Sequence, residues 1–124
     1  MTVDANTHIP DARHIWGLWI GLLLPPIAVL ADLEISYALV PTACSSRSAL
    51  LIHVVHGAGL LLVLAGGFTA WRHWRTLGGR WPETEGGPLA RSRFLAGAGV
   101  LISGLCVLVI LGFWSAVLLL DPCQ

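Results

Sequence analysis

The stretch SALLIHVVHGAGLLLVLAGGFTAW, from Ser48 to Trp71, is 24 residues long and carries only two ionisable groups, His53 and His56, one helical turn apart. At about 1.5 Å of rise per residue, such a run crosses a bilayer core of roughly 30 Å as one helix. Two further apolar runs flank it, Ile15 to Val40 (IWGLWIGLLLPPIAVLADLEISYALV) before and Phe94 to Leu120 after. The chain has 124 residues, 56% hydrophobic and 11% charged, against roughly a quarter charged in soluble domains. We therefore expect an all-α integral membrane protein of three transmembrane helices, over about 15–40, 48–74 and 92–120, forming a single membrane domain over 1–124. Three spans with short connections leave no room for a soluble catalytic domain. A net charge of zero excludes a nucleic-acid surface, which needs clustered excess cation.

The arginines orient the chain. Arg13, Arg72, Arg75, Arg80, Arg91 and Arg93 lie at one set of helix ends and only Arg47 at the other. By the positive-inside rule the N-terminus and the 75–91 loop are cytoplasmic, and the 41–47 turn and the C-terminus are periplasmic. Every basic residue is Arg, which fits a GC-rich bacterial coding bias and a multi-pass protein of the bacterial inner membrane. Val29-Leu30-Ala31 has the small residues a signal-peptide cleavage site prefers, but we expect the run to be kept as a membrane anchor. Pro25-Pro26 removes two backbone donors from the first span and pushes Leu24 away from the α region, so a kink or broken turn is expected there. Met1 to His14 reads as an interfacial or extended tail, and Pro41 to Ser46 as a short turn. Trp16 and Trp19 suit an aromatic belt, and Trp71-Arg72-His73-Trp74-Arg75 an interfacial anchor.

In that topology Cys44 and Cys123 both reach the outer face, where an oxidising compartment can join them. The bridge would close a loop of about 80 residues, worth nominally about 4 kcal/mol by chain entropy. Cys106 lies at mid-membrane and reads as a small buried apolar residue. Inside lipid, association rests on small residues and polar contacts. The helix-packing candidates are Gly17 and Gly21 on the first span, Gly59 and Gly66 on the second, and Gly99 and Ser103 on the third. Gly97, Gly104 and Gly112 point toward another face, so some stripes are expected to dock against other integral membrane subunits.

Ionisable groups at membrane depth are costly and suggest function. Glu34 lies about 9 Å below Val40 and Asp32 about 12 Å, while His53 lies about 8 Å below Ser48 and His56 about 12 Å. Carboxylates and imidazoles thus share one depth on adjacent antiparallel helices. Asp32 and Glu34 are roughly 200° apart around a helix, so only one faces the histidines. Four readings compete: a structural His–carboxylate joint, a metal site on His53 and His56 completed by Glu34, Asp32 or Cys44, a haem contact, and a proton relay or quinone-proximal polar site. Two histidines one turn apart cannot be both axial ligands of one iron, and His8, His14 and His73 lie at or beyond the opposite face. The chain is therefore expected to hold no cofactor of its own, while His53 or His56 can touch haem, pigment or quinone held by a neighbour. No nucleophile–base arrangement, phosphate loop or CxxC motif is present, so no catalytic residue is assigned and the chain is not read as an enzyme.

The segments LEISYALVPTAC, LLIHVVHGAGLLL and RSRFLAGAGVLISG with the closing DPC resemble small three-helix membrane proteins that accompany bacterial electron-transfer complexes, such as haem-copper oxidases. An accessory subunit of a photosynthetic reaction-centre complex would look the same. The resemblance implies a non-catalytic stabilising subunit with membrane partners. The alternatives are a metal, quinone or proton-handling site on His53 and His56 with Glu34 or Asp32, and an assembly factor that associates only transiently.

Overall fold

Where no water competes, backbone polar groups must pair within their own segment, so long apolar runs fold as helices. Three such helices follow in chain order: α1 (Ala12–Ser46), α2 (Leu50–Thr76) and α3 (Pro88–Leu119). The structure, a computed structural model, describes residues 12–81, 86–120 and 123. Among these residues there is no strand, and all three helices are long and apolar enough to cross a membrane. The shortest has 27 residues, about 40 Å of length. The tail before residue 12 (His8 included), loop residues 82–85, and 121, 122 and 124 lie outside the described residues.

The core follows one rule on every helix. α1 buries Leu18, Gly21, Pro25, Ala28 and Asp32; α2 buries Ile52, His56, Gly59, Val63, Gly66 and Ala70; α3 buries Ala96, Gly99, Ser103, Cys106 and Ile110. Gly97 and Ala43 are buried as well; the other steps alternate three and four, the heptad spacing that keeps one seam facing a neighbour. The seam is built mainly from small residues, with Val63 and Ile110 its largest aliphatic members in the central cluster around Ala28 and Cys106. Large apolar side chains such as Leu30, Leu61, Leu105 and Leu108 stand exposed on the outside.

Backbones meet most closely where Gly21, Ala70 and Gly99 converge. A Cβ on Gly21 would lie 2.9 Å from Ala70 Cβ, and one on Gly99 would lie 3.0 Å from Ala70 Cβ and 3.1 Å from the Gly21 carbonyl oxygen. That carbonyl is the one whose helical donor Pro25 lacks. Gly99 faces that carbonyl, where any side chain would crowd it.

The broken turn expected at Pro25-Pro26 is absent: α1 is helical throughout, with Pro25, Pro26 and Pro41 inside it. The buried Pro25 ring fills the notch at Gly66, where a Cβ would come within 2.9 Å of Pro25 Cγ, and packing offsets the lost hydrogen bond. The turn expected over Pro41 to Ser46 is likewise corrected, since α1 continues to Ser46. There the Ser45 and Ser46 hydroxyls donate to the Thr42 carbonyl at 2.9 and 2.8 Å. The chain reverses instead at Arg47, which adopts a left-handed φ of 51°. Arg47 N–H donates to the Cys44 carbonyl and Ser48 N–H to the Ala43 carbonyl, a Schellman ending. Gly78 and Gly79, both at positive φ, close α2, and Arg93 of α3 donates from Nε to the Leu77 carbonyl at 2.7 Å. Pro88 opens α3 at its first turn, a position that needs no N–H donor. Cys44 and Cys123 meet at disulfide distance, their Cα atoms 5.5 Å apart, tying the end of α1 to the chain beyond α3.

Gly99→Ala should lower stability by about 1–3 kcal/mol through overpacking at this three-helix contact. Gly104→Ala, where nothing lies within 4 Å, should be neutral or raise it by up to about 1 kcal/mol through helix propensity. Thermal denaturation of both variants in the same detergent separates the two outcomes.

Candidate functional site

Among the described residues the heptad seam places one carboxylate, Asp32 on α1, and one imidazole, His56 on α2, each 2% exposed. Asp32 belongs to the series Pro25, Ala28, Asp32 and so turns inward; Glu34, two residues on, is exposed. Room for the carboxylate comes from Gly59, where a Cβ would stand 3.0 Å from Asp32 Oδ1. His56, one turn before Gly59, brings Nδ1 to 2.8 Å from Oδ2 and 3.0 Å from Oδ1. A carboxylate only accepts, so Nδ1–H donates to both oxygens. This fixes the tautomer and leaves Nε2 as an acceptor in the neutral ring or a donor in the protonated one. Nε2 is buried and has no hydrogen-bond partner.

His53 belongs to a different contact. Its Nδ1 accepts from Trp114 Nε1–H of α3 at 3.0 Å, which places its own proton on Nε2. The Trp114 ring lies 6.4 Å from the His53 ring and 6.3 Å from the His56 ring. One indole thus spans both histidines, joining α3 to the α1–α2 pair. Burial of an indole N–H calls for such a partner. Neither this bond nor the Gly59 notch was read from the sequence. The alternation of three and four along α1 was the available signal for which carboxylate turns inward.

The metal set expected from His53, His56 and Glu34 is not assembled. Glu34 faces outward, Cys44 is engaged with Cys123, and among the described residues no three His, Cys, Asp or Glu side chains are grouped to hold a metal ion. At the opposite end of the bundle His14 and His73 stack edge to face with centroids 4.9 Å apart, and His73 covers Gly17. The remaining packing candidates sit on the seam: Gly21 against Ala70, Gly66 against Pro25, Gly99 against both Gly21 and Ala70, while Ser103 lies over Gly67. No family model matches this chain, no curated protein matches its sequence, and no solved structure matches it.

Removing one partner of a buried hydrogen-bonded pair leaves the other unsatisfied. Asp32→Ala and His56→Ala should each destabilise by about 3–5 kcal/mol, and the double change to Leu at both positions should cost clearly less than the sum of single changes to Leu. A double-mutant cycle read by denaturation in detergent checks this, and additive costs would deny the coupling.

Proposed function

We propose that this chain is a non-catalytic accessory subunit of a larger complex in the bacterial inner membrane, within respiratory or photosynthetic electron transfer. The observation that carries the reading is on α3. Gly104 and Gly112 are exposed, and a Cβ on either would meet nothing within 4 Å. A glycine inside a helix costs about 1 kcal/mol relative to alanine, and the bundle's own packing gives these two no role. On a lipid-facing surface such positions let a partner helix approach closely. The exposed Leu101, Leu105 and Leu108 beside them would supply the apolar contact around that approach.

The arginine asymmetry supports an N-terminus in the cytoplasm and a C-terminus outside. The Cys44–Cys123 pair fits an outer, oxidising face. The electron-transfer setting rests on the resemblance of LEISYALVPTAC, LLIHVVHGAGLLL and the closing DPC to subunits that accompany haem-copper oxidases. A second reading is favoured by Asp32 and His56: a polar centre within the membrane that handles protons or a membrane-soluble ligand for the partner complex.

Tagged protein purified in mild detergent should bring down stoichiometric oxidase or reaction-centre subunits, identified by mass spectrometry and an absorbance spectrum. Gly104→Leu with Gly112→Leu should abolish that co-purification while the variant chain melts as the wild type does. Elution of the wild-type chain alone would overturn the accessory reading.

A further inference from the structure

A groove runs between α1 and α3 near the α1–α2 turn, with α2 as its floor. Ile52 and His56 form that floor, each 2% exposed. Ser36 and Tyr37 stand on the α1 side and Phe113 and Val117 on the α3 side, around a volume of about 240 Å³. Tyr37 is 81% exposed and Phe113 38%, so the groove opens sideways, toward lipid in the bilayer reading. Its lining is almost wholly apolar. Yet two of its residues each keep a buried polar atom without a partner, His56 Nε2 and Ser36 Oγ. An unpaired buried polar atom costs about 1–3 kcal/mol, and two on one groove call for a ligand with oxygen to offer.

We propose that this groove binds the ring of a membrane-soluble quinol, with its hydrocarbon tail in the bilayer. The proposal rests on the second reading above, that Asp32 and His56 form a polar centre. The volume is near the low end of ordinary ligand sites, on the order of 300 Å³, which suits one substituted ring and not a whole lipid. Aromatic walls at Tyr37 and Phe113 suit a planar head. Among the described residues no arginine lines the groove, and the Asp32 carboxylate lies behind its floor, so an anionic headgroup is disfavoured and a neutral one is not. Asp32 accepts from Nδ1–H and so fixes the orientation of the ring, leaving Nε2 as the nitrogen free to meet a ligand. A quinol hydroxyl then donates to neutral Nε2, with the Ser36 hydroxyl as a second polar contact. The corresponding quinone carbonyl accepts from Nε2–H of the protonated ring. Both atoms are shielded from water, so the ring enters with rotamer shifts of the outer wall side chains, a common extent of change on binding. The site binds and orients; no electron transfer is assigned to it.

The test uses the full chain in lipid nanodiscs, with decylubiquinol and decylubiquinone as probes and tryptophan fluorescence as readout, since Trp114 lies against His56. Saturable quenching is expected, and His56→Gln should weaken it about tenfold, the loss of one hydrogen bond to the ligand. Val117→Trp fills the groove from its rim and should abolish binding while leaving the melting curve unchanged, which covers the case that His56 variants fail to fold. Absence of saturable quenching in the wild type, equal affinity in Val117→Trp, or equal displacement by decanol would overturn the proposal. If the wild type binds neither probe but His56→Gln still lowers turnover of an assembled partner complex, the quinol site falls and the polar-centre reading stands.

Discussion

One hydrogen-bonded pair sets how the three helices face one another. Among the described residues Asp32 is the one carboxylate on the buried seam, and the rotation of α1 sets it against His56 with Gly59 making room. That same rotation lays Gly21, Pro25 and Ala28 against α2 and turns Glu34 outward. Small residues would permit several registers between two smooth apolar helices. A buried carboxylate that must meet an imidazole permits far fewer, because each wrong register strands a charge in an apolar interior. The polar pair is thus expected to select among registers, and the backbones approach closely at Gly21, Ala70 and Gly99 in the one observed.

Much of this arrangement is legible in the sequence because its causes are local or periodic. Three apolar runs give three helices, LGG gives the end of α2, and two cysteines, Cys44 near the end of α1 and Cys123 beyond α3, come to disulfide distance. What the sequence hid was tertiary in origin. Pro25-Pro26 reads locally as a kink or a broken turn, and the turn is unbroken, with the Pro25 ring seated in the Gly66 notch. Pro41 likewise reads as a stop, yet α1 continues to Ser46. Depth alone put Asp32, Glu34, His53 and His56 together, whereas the three-and-four spacing separates them: Asp32 and His56 on the seam, Glu34 outside, and His53 aside with Trp114. The bond to Trp114 spans 61 residues of sequence and leaves no periodic trace.

The bundle's chemistry is confined to one end. His53 and His56, though one turn apart, are fixed in opposite senses: Nδ1 of His53 accepts from an indole while Nδ1–H of His56 donates to a carboxylate. A proton-handling or ligand-binding role would fall to His56, whose Nε2 remains uncommitted, and His53 would hold α3 in place. An accessory subunit built this way would present glycine-bearing helix surface to its complex and keep one imidazole nitrogen uncommitted in its interior.

The most direct measurement is nitrogen-15 NMR of histidine-labelled protein in lipid nanodiscs, which reads the protonation of each ring nitrogen. The arrangement described here requires His56 with its proton on Nδ1 and His53 with its proton on Nε2, and Asp32→Asn should perturb the first and leave the second. A His56 ring carrying its proton on Nε2 alone, unmoved by Asp32→Asn, would mean that Asp32 is not its partner and that the bundle is joined in some other way.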